Sequence, residues 1–555
     1  MASDPYVVAS WVCCVLAVTG FAVYSVVFTW LEKRRAASSD GGGGGDGQPT
    51  SAEDFVTARR SANLSQIAWS FYASSVGAWV IVTPANYAAF AGWVGMLFYA
   101  LACGIPVIAI AHFGARLQGL FPACASLSDF CGARYGWATQ LLVVLITVMN
   151  MAIVVIAEYT TIGSLFADFV GTVALPFIAL VAVLTLSYTT YGGLHISIIT
   201  DRVQAIFSVI LVMALCIYVA STFRYELPTP LPPNLAANFY GYSAIMTMPL
   251  SLMGASVFSE ALWQRVWASQ DHRTLKLGSY IGCAAIIFVV FMCGMFGFLA
   301  SWAGLIDENT NPNLYLFQIF KSEGEGSNAT VSNWVGVVIM VLAVTMNESA
   351  IDSMQNGLAA SIACRFFLKA NLVWTRVMVV LINIPLVVIA LLGLDVLSLF
   401  LITNMLTTCC MVPVLMGMYN GRGCEYITDA MPPLSFLVSF ICVSIYGCSN
   451  VWDPSAVGQS IGAGIRLAWY GNSYAIDYFA VGLGTSIGAV LLWLGVRVAC
   501  DKLFNVWKPT PVVRPNPREP SPSRRVLSIL CIEHSVKGSA GQGKPIDYPS
   551  DITNF

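Results

Sequence analysis

Apolar residues fall in stretches of about 20, separated by short polar segments, from near Tyr6 to near Cys500. A helix rises about 1.5 Å per residue, so each stretch is long enough to cross about 30 Å of hydrocarbon. About thirteen such spans can be drawn, at roughly 7–31, 67–89, 92–113, 137–163, 169–190, 196–221, 243–267, 277–302, 333–366, 372–393, 395–419, 431–449 and 473–499. Hydrocarbon offers the backbone no water to bond, which leaves helices or closed barrels, and these stretches are too long and too little alternating for barrel strands. The pattern predicts an all-α polytopic membrane protein.

Composition agrees. The chain is 57% apolar and 10% charged, where a soluble domain is about half apolar and about a quarter charged. Its net charge of -2 and scattered basic residues leave nucleic-acid binding without a footing. The sixteen cysteines mostly sit inside apolar stretches, as Cys103, Cys216, Cys283, Cys293, Cys409 and Cys410 do, and show no metal-ligand spacing; they read as small reduced hydrophobes. His112, His195, His272 and His534 lie far apart and no nucleophile–base pair accompanies them, so no enzyme and no bound cofactor is expected. A channel would show filter-like rings of carbonyls or charges, and a sensor would need a folded signalling domain that the polar, proline-rich tail does not supply.

Loop charge sets an orientation. With the N-terminus outside, Arg59, Arg60, Arg116, Arg134, Arg265, Arg273, Lys276, Arg365, Lys369, Arg422 and the basic tail from Lys502 fall inside, against Arg224, Lys321 and Arg466 outside. The segment 307–333 then lies outside with its sequon, Asn328-Ala-Thr330. No Lys or Arg precedes the first stretch, whereas Lys33, Arg34 and Arg35 follow it, so it reads as an uncleaved helix rather than a signal peptide. The expected layout is an extra N-terminal helix at 1–31, a cytosolic linker at 32–66, a transport core at 67–419, two additional helices at 420–500 and a flexible cytosolic tail at 501–555, in a protein of the plasma membrane. Five consecutive glycines mark the linker.

Two spans carry breaks. One reads Ala73-Ser-Ser-Val-Gly-Ala-Trp79 and then Thr83-Pro84; the other holds Pro249 and Gly254 before Ser259-Glu-Ala-Leu-Trp-Gln-Arg265. They stand five spans apart, as the first members of two inverted five-helix repeats would, so unwinding is expected near Gly77 and near Gly254, with the two breaks facing each other at a solute site. Glu158, Asp201, Glu260, Glu348 and Asp352 are ionisable residues within apolar stretches, where charge is expensive and marks function or a helix end. Asp201 and Glu260 fall near expected helix ends; Glu158, Glu348 and Asp352 are deeper. Ser349, Asp352 and Ser353 share a helix face. Their oxygens suit an alkali cation, and the carboxylates can alternatively carry a proton.

Three stretches resemble the sodium:solute symporter family, which includes proline, pantothenate, sugar, iodide and urea transporters. They are Tyr191-Gly-Gly-Leu with Thr200-Asp-Arg-Val-Gln204; Trp263-Gln-Arg265 with Ala268 and Asp271, whose Trp is a feature of the urea branch; and Ser349-Ala-Ile-Asp-Ser353. The stretch 73–79 is similar to the proline branch. The resemblance implies a ten-helix inverted-repeat core with two broken helices, and solute transport coupled to an ion. Carried over by position, the carbonyls of Ala73, Val76 and Met346 and the hydroxyl of Ser349 would hold sodium, with Ala350 where the family usually has a further hydroxyl. Asp201 and Gln204 match a second ion site of some members, to which Asp352 and Glu158 add further cation or proton loci; the alternative for Asp201 is a helix cap. Gly77, Trp79, Ser259, Glu260 and Trp263 are the candidate solute contacts, the two tryptophans alternatively facing lipid. The expected partners are a small polar solute such as urea or proline, a coupling sodium ion or proton, and the bilayer.

Overall fold

A computed structural model describes residues 4–38, 57–121, 124–322, 326, 328–366, 372–419, 426–454 and 457–504. The expected tail beyond 504 lies outside the described residues, as does the glycine run. Of the expected linker, residues 32–38 continue the first helix, α1 (Pro5–Ser38).

The elements that follow are α2 (Leu64–Ser75), α3 (Trp79–Leu120), α4 (Leu127–Arg134), α5 (Trp137–Ser164, extended by a π turn at Leu165–Phe169), α6 (Leu175–Thr222), α7 (Phe239–Val257), α8 (Glu260–Ala268) and α9 (His272–Trp302). After two short 3-10 turns come α10 (Trp334–Phe366), α11 (Leu372–Ala390), α12 (Val396–Leu415), α13 (Met431–Asn450), α14 (Val457–Arg466) and α15 (Ile476–Ala499). Polar side chains start several of them by accepting from otherwise unpaired first-turn amides. Asn63 forms a capping box with Gln66 on α2, and Asn238, Asp271 and Asp395 cap α7, α9 and α12.

Among the described residues nine helices are long and apolar enough to cross a membrane, or ten if the bent pair α7 and α8 is one span, rather than thirteen. The difference is largely local geometry. Helix α3 joins two of the expected spans through Gly92 (φ 65), and α6 joins two more through Gly193 (φ 59), the second glycine of the Tyr191-Gly-Gly stretch. A positive φ is readily open only to glycine, so each kink sits where the sequence allows it. At Gly92 a side chain would also meet the Leu235 carbonyl at 2.6 Å. Segments Leu175–Thr190 and Val377–Ala390 are apolar but short.

Helix α9 packs along α3, α2 lies between α9 and α6, and α10 lies against α6 and α5. Helix α1 rests on α6 and α10 outside this group, while α13 and α15 pack on each other and on α12. One loop charge is misread by sequence: Arg265 is no inner-surface residue but is fully buried on α8.

Candidate functional site

The first break is Val76-Gly77-Ala78, where the glycine pattern places it. Helix α3 opens there with unpaired amides, and the Glu158 carboxylate of α5 accepts from the Ala78 amide at 2.9 Å. Asn347 of α10 donates to the same carboxylate oxygen at 2.8 Å and to the Glu158 carbonyl at 2.9 Å. On the other side of the break the Ser349 hydroxyl donates to the Ala73 carbonyl at 3.3 Å. Glu158 therefore holds the break, and Gly77 gives it room: a Cβ at Gly77 would collide with Glu158 Oε1 and come within 2.9 Å of the Ala350 methyl.

The second break lies at Phe258–Ser259, not at Gly254, with α7 and α8 bent by 63°. Gly254 stays helical because it serves packing; its Cβ position is 3.0 Å from Thr407 Oγ1 and 3.1 Å from the Thr408 amide of α12. The open carbonyls at the end of α7 are met by side chains. Asn150 of α5 donates to Ala255 and Phe258, at 3.1 and 3.2 Å, and the Trp263 indole donates to Val257 at 2.8 Å. Trp263 is fully buried, so it does not face lipid, and its indole ties its own break.

Between the breaks is a cavity of about 110 Å³, well below the roughly 300–1,000 Å³ of a drug-sized pocket. Ser74, Ser75 and Trp79 come to it from the first break, Ser256 and Ser259 from the second, and Asn150 and Asn404 from α5 and α12. Trp79 meets Phe400 edge-on at 5.5 Å, and Tyr99 at 6.3 Å, forming an aromatic wall. Among the described residues no charged side chain lines this cavity. Of the expected solute contacts, Trp79 and Ser259 line it, whereas Gly77, Glu260 and Trp263 do not. Glu260 is directed instead to the start of α4 at Leu127, near Asp129.

Asp201 caps no helix. It lies within α6, fully buried, and pairs with Arg265 at 2.8 Å. Arg265 also donates to Ser70 of α2 at 2.9 Å, to the Ala261 carbonyl at 2.9 Å and to Ser353 of α10 at 2.6 Å, and Ser70 donates to Asp201 at 2.6 Å. This knot fastens both broken spans to α6 and α10. Asp352 accepts from Asn356 at 2.9 Å and from Thr189 and Thr200 at 3.3 Å. Gln204 does not join Asp201 and stands beside Glu348 instead. The sequence reading missed Asn150, Asn404 and Phe400. Its available signal was the lone amide in each apolar run, Met149-Asn-Met151 and Thr403-Asn-Met405.

No family model matches the chain. The spermidine transporter DUR31 of Candida albicans is 25% identical over 406 residues, which cover 72% of this chain and 76% of that protein. The structure of a Na+-coupled sialic acid symporter, in a substrate-bound outward-open state, matches with a TM-score of 0.59 at 14% identity, covering 88% of this chain and 98% of that one. The chain is a membrane transporter. Its fold is the inverted-repeat core with two broken helices.

Proposed function

We propose that this transporter is a sodium-driven symporter of the sodium:solute type, carrying a small polar solute with no net charge, such as urea or proline. It would sit in the plasma membrane with its N-terminus outside. The observation that carries the reading is the cavity itself: small, with hydroxyls and amides set among apolar side chains such as Leu252 and Met354, closed by an aromatic wall, and placed directly beside the break at which Ser349 reaches Ala73. A sodium ion there would exchange one hydrogen bond for oxygen ligands from Ala73, Val76, Met346 and Ser349. The name of the curated relative favours a second reading, a polyamine. Against it, a polycation entering the membrane interior needs carboxylates beside it, and those nearby are engaged at the break or buried behind α10.

The test is uptake of labelled urea, proline and spermidine into proteoliposomes under a sodium gradient or a proton gradient alone. Sodium-driven uptake of a neutral solute is expected. Uptake driven only by protons, or equal without any gradient, overturns the coupling, and preference for spermidine overturns the solute class.

Two variants refine this. Ser349→Ala is expected to raise the sodium concentration for half-maximal uptake about tenfold, the equivalent of about 1.4 kcal/mol, with little change in solute affinity; Ala350→Ser should shift it the other way by supplying the missing hydroxyl. An unchanged sodium response in both displaces the ion from this break. Trp79→Ala removes the aromatic wall, and such contacts contribute about 0.5–1.5 kcal/mol. It should weaken solute half-saturation about threefold to tenfold while leaving the sodium response in place, as competition uptake would show.

A further inference from the structure

Where a membrane helix is broken, the half that starts anew presents unpaired amides and the positive end of its dipole, an end suited to receive an anionic group of a solute. Two such ends exist here, at α3 and α8. The start of α3 is already taken: the Glu158 carboxylate accepts from the Ala78 amide at 2.9 Å and lies beside the Trp79 amide, and Asn347 pins it there at 2.8 Å. At α8 the first helical residue is itself acidic, the buried Glu260. Each positive end therefore carries a carboxylate of the protein's own. No lysine or arginine lines the cavity among the described residues, and Arg265 is committed to Asp201. A solute carboxylate entering between the breaks would find no partner, and a buried unpaired charge is expensive.

The polar groups left at the cavity favour the opposite chemistry. Asn150 meets two carbonyls, those of Ala255 and Phe258, which only its amide nitrogen can do. Its oxygen is the free end, buried and without a partner among the described residues. Ser74 and Ser75 direct their hydroxyl hydrogens to the Phe71 carbonyl, and Thr403 directs its own to Phe400, so each offers oxygen lone pairs. Asn404 gives one N–H to Tyr474 and keeps its oxygen. Against these acceptors, the N–H and O–H donors left at the cavity are the hydroxyls of Ser256 and Ser259, one N–H of Asn404 and the Trp79 indole. A compact solute with several N–H donors and a single carbonyl oxygen matches that balance. An amino acid does not, since its carboxylate only accepts.

We propose that Glu158 determines specificity: by occupying the amides at the start of α3 it excludes solutes that carry a carboxylate, so that the cavity takes a urea or a primary carboxamide rather than an amino acid. The inference rests on the symport reading above and selects one of its two solute classes.

The test is competition against sodium-driven uptake of labelled urea by the full-length protein in proteoliposomes, with acetamide and acetate as competitors that differ only in carrying the amide or the carboxylate. For wild type, acetate is expected to need at least about thirtyfold more than acetamide for half-inhibition, the order of a lost hydrogen bond to a charged group, and labelled proline should not accumulate. Glu158→Gln removes the charge while keeping an oxygen for the Ala78 amide, and should narrow that ratio about threefold; Glu158→Ala frees the amide and should narrow it at least about tenfold. The glutamine variant guards against misfolding of the alanine one. Proline uptake matching that of urea, or a ratio that neither variant moves, overturns the exclusion and leaves the symport reading standing. The same selectivity without dependence on sodium overturns the coupling and leaves the exclusion standing. Uptake of neither urea nor proline overturns both.

Discussion

Gly77→Ala is expected to abolish uptake at unchanged expression. The new methyl group would run into Glu158 Oε1 and lie 2.5 Å from the Glu158 Cδ atom, and that carboxylate has nowhere to retreat. It is fixed through Ala78 and Asn347, on two different helices. Overpacking alone costs about 1–3 kcal/mol, and each displaced hydrogen bond to a charged group costs about 1.5–3 kcal/mol more. The loss therefore falls on the geometry of the break as well as on stability. Gly254→Ala provides the comparison, since its contacts with Thr407 and Thr408 are tight at 3.0–3.1 Å without overlapping; partial activity is expected there. Uptake by both variants, measured beside thermal unfolding of the purified proteins, decides the matter. Wild-type transport by Gly77→Ala would mean that the break does not form as described.

Arg265→Met should be the most destabilising single change. It strands a fully buried Asp201, and removing one partner of such a pair costs about 3–5 kcal/mol. Arg265→Lys is expected to rescue little, because one ammonium cannot reproduce the four bonds that the guanidinium makes to Ser70, Ala261, Asp201 and Ser353. The double variant Arg265→Met/Asp201→Asn removes the stranded charge and should recover part of the loss. Thermal unfolding of the three proteins gives the ordering, and a single arginine variant as stable as wild type would contradict it.

The apolar spacing made the helices legible, and Gly77 made the first break legible, because both signals are local. The second break was displaced by a few residues because Phe258 and Ser259 carry no glycine or proline; Asn150, more than a hundred positions away, meets the carbonyls that the bend exposes. Arg265 resembled an inner-surface charge for the same reason, since its partner Asp201 is 64 positions distant. A count of charges along the chain cannot see such pairing. Trp263 carried the right chemistry for a solute contact, but its indole is committed to Val257. Glu158 was legible as a deep carboxylate, while its place at the break depends on how α5 meets α10.

The cavity wall also depends on chain that lies beyond α12. Asn404 donates to the Tyr474 hydroxyl at 2.9 Å, and Tyr474 stacks on Phe479 and meets Tyr87 of α3 edge-on. The helices up to α12 therefore do not complete the cavity's surroundings by themselves. A chimera that replaces the helices after α12 with another transporter's would leave the Asn404 amide unanswered at the edge of the cavity, so solute choice can drift through exchanges made far along the chain from the breaks.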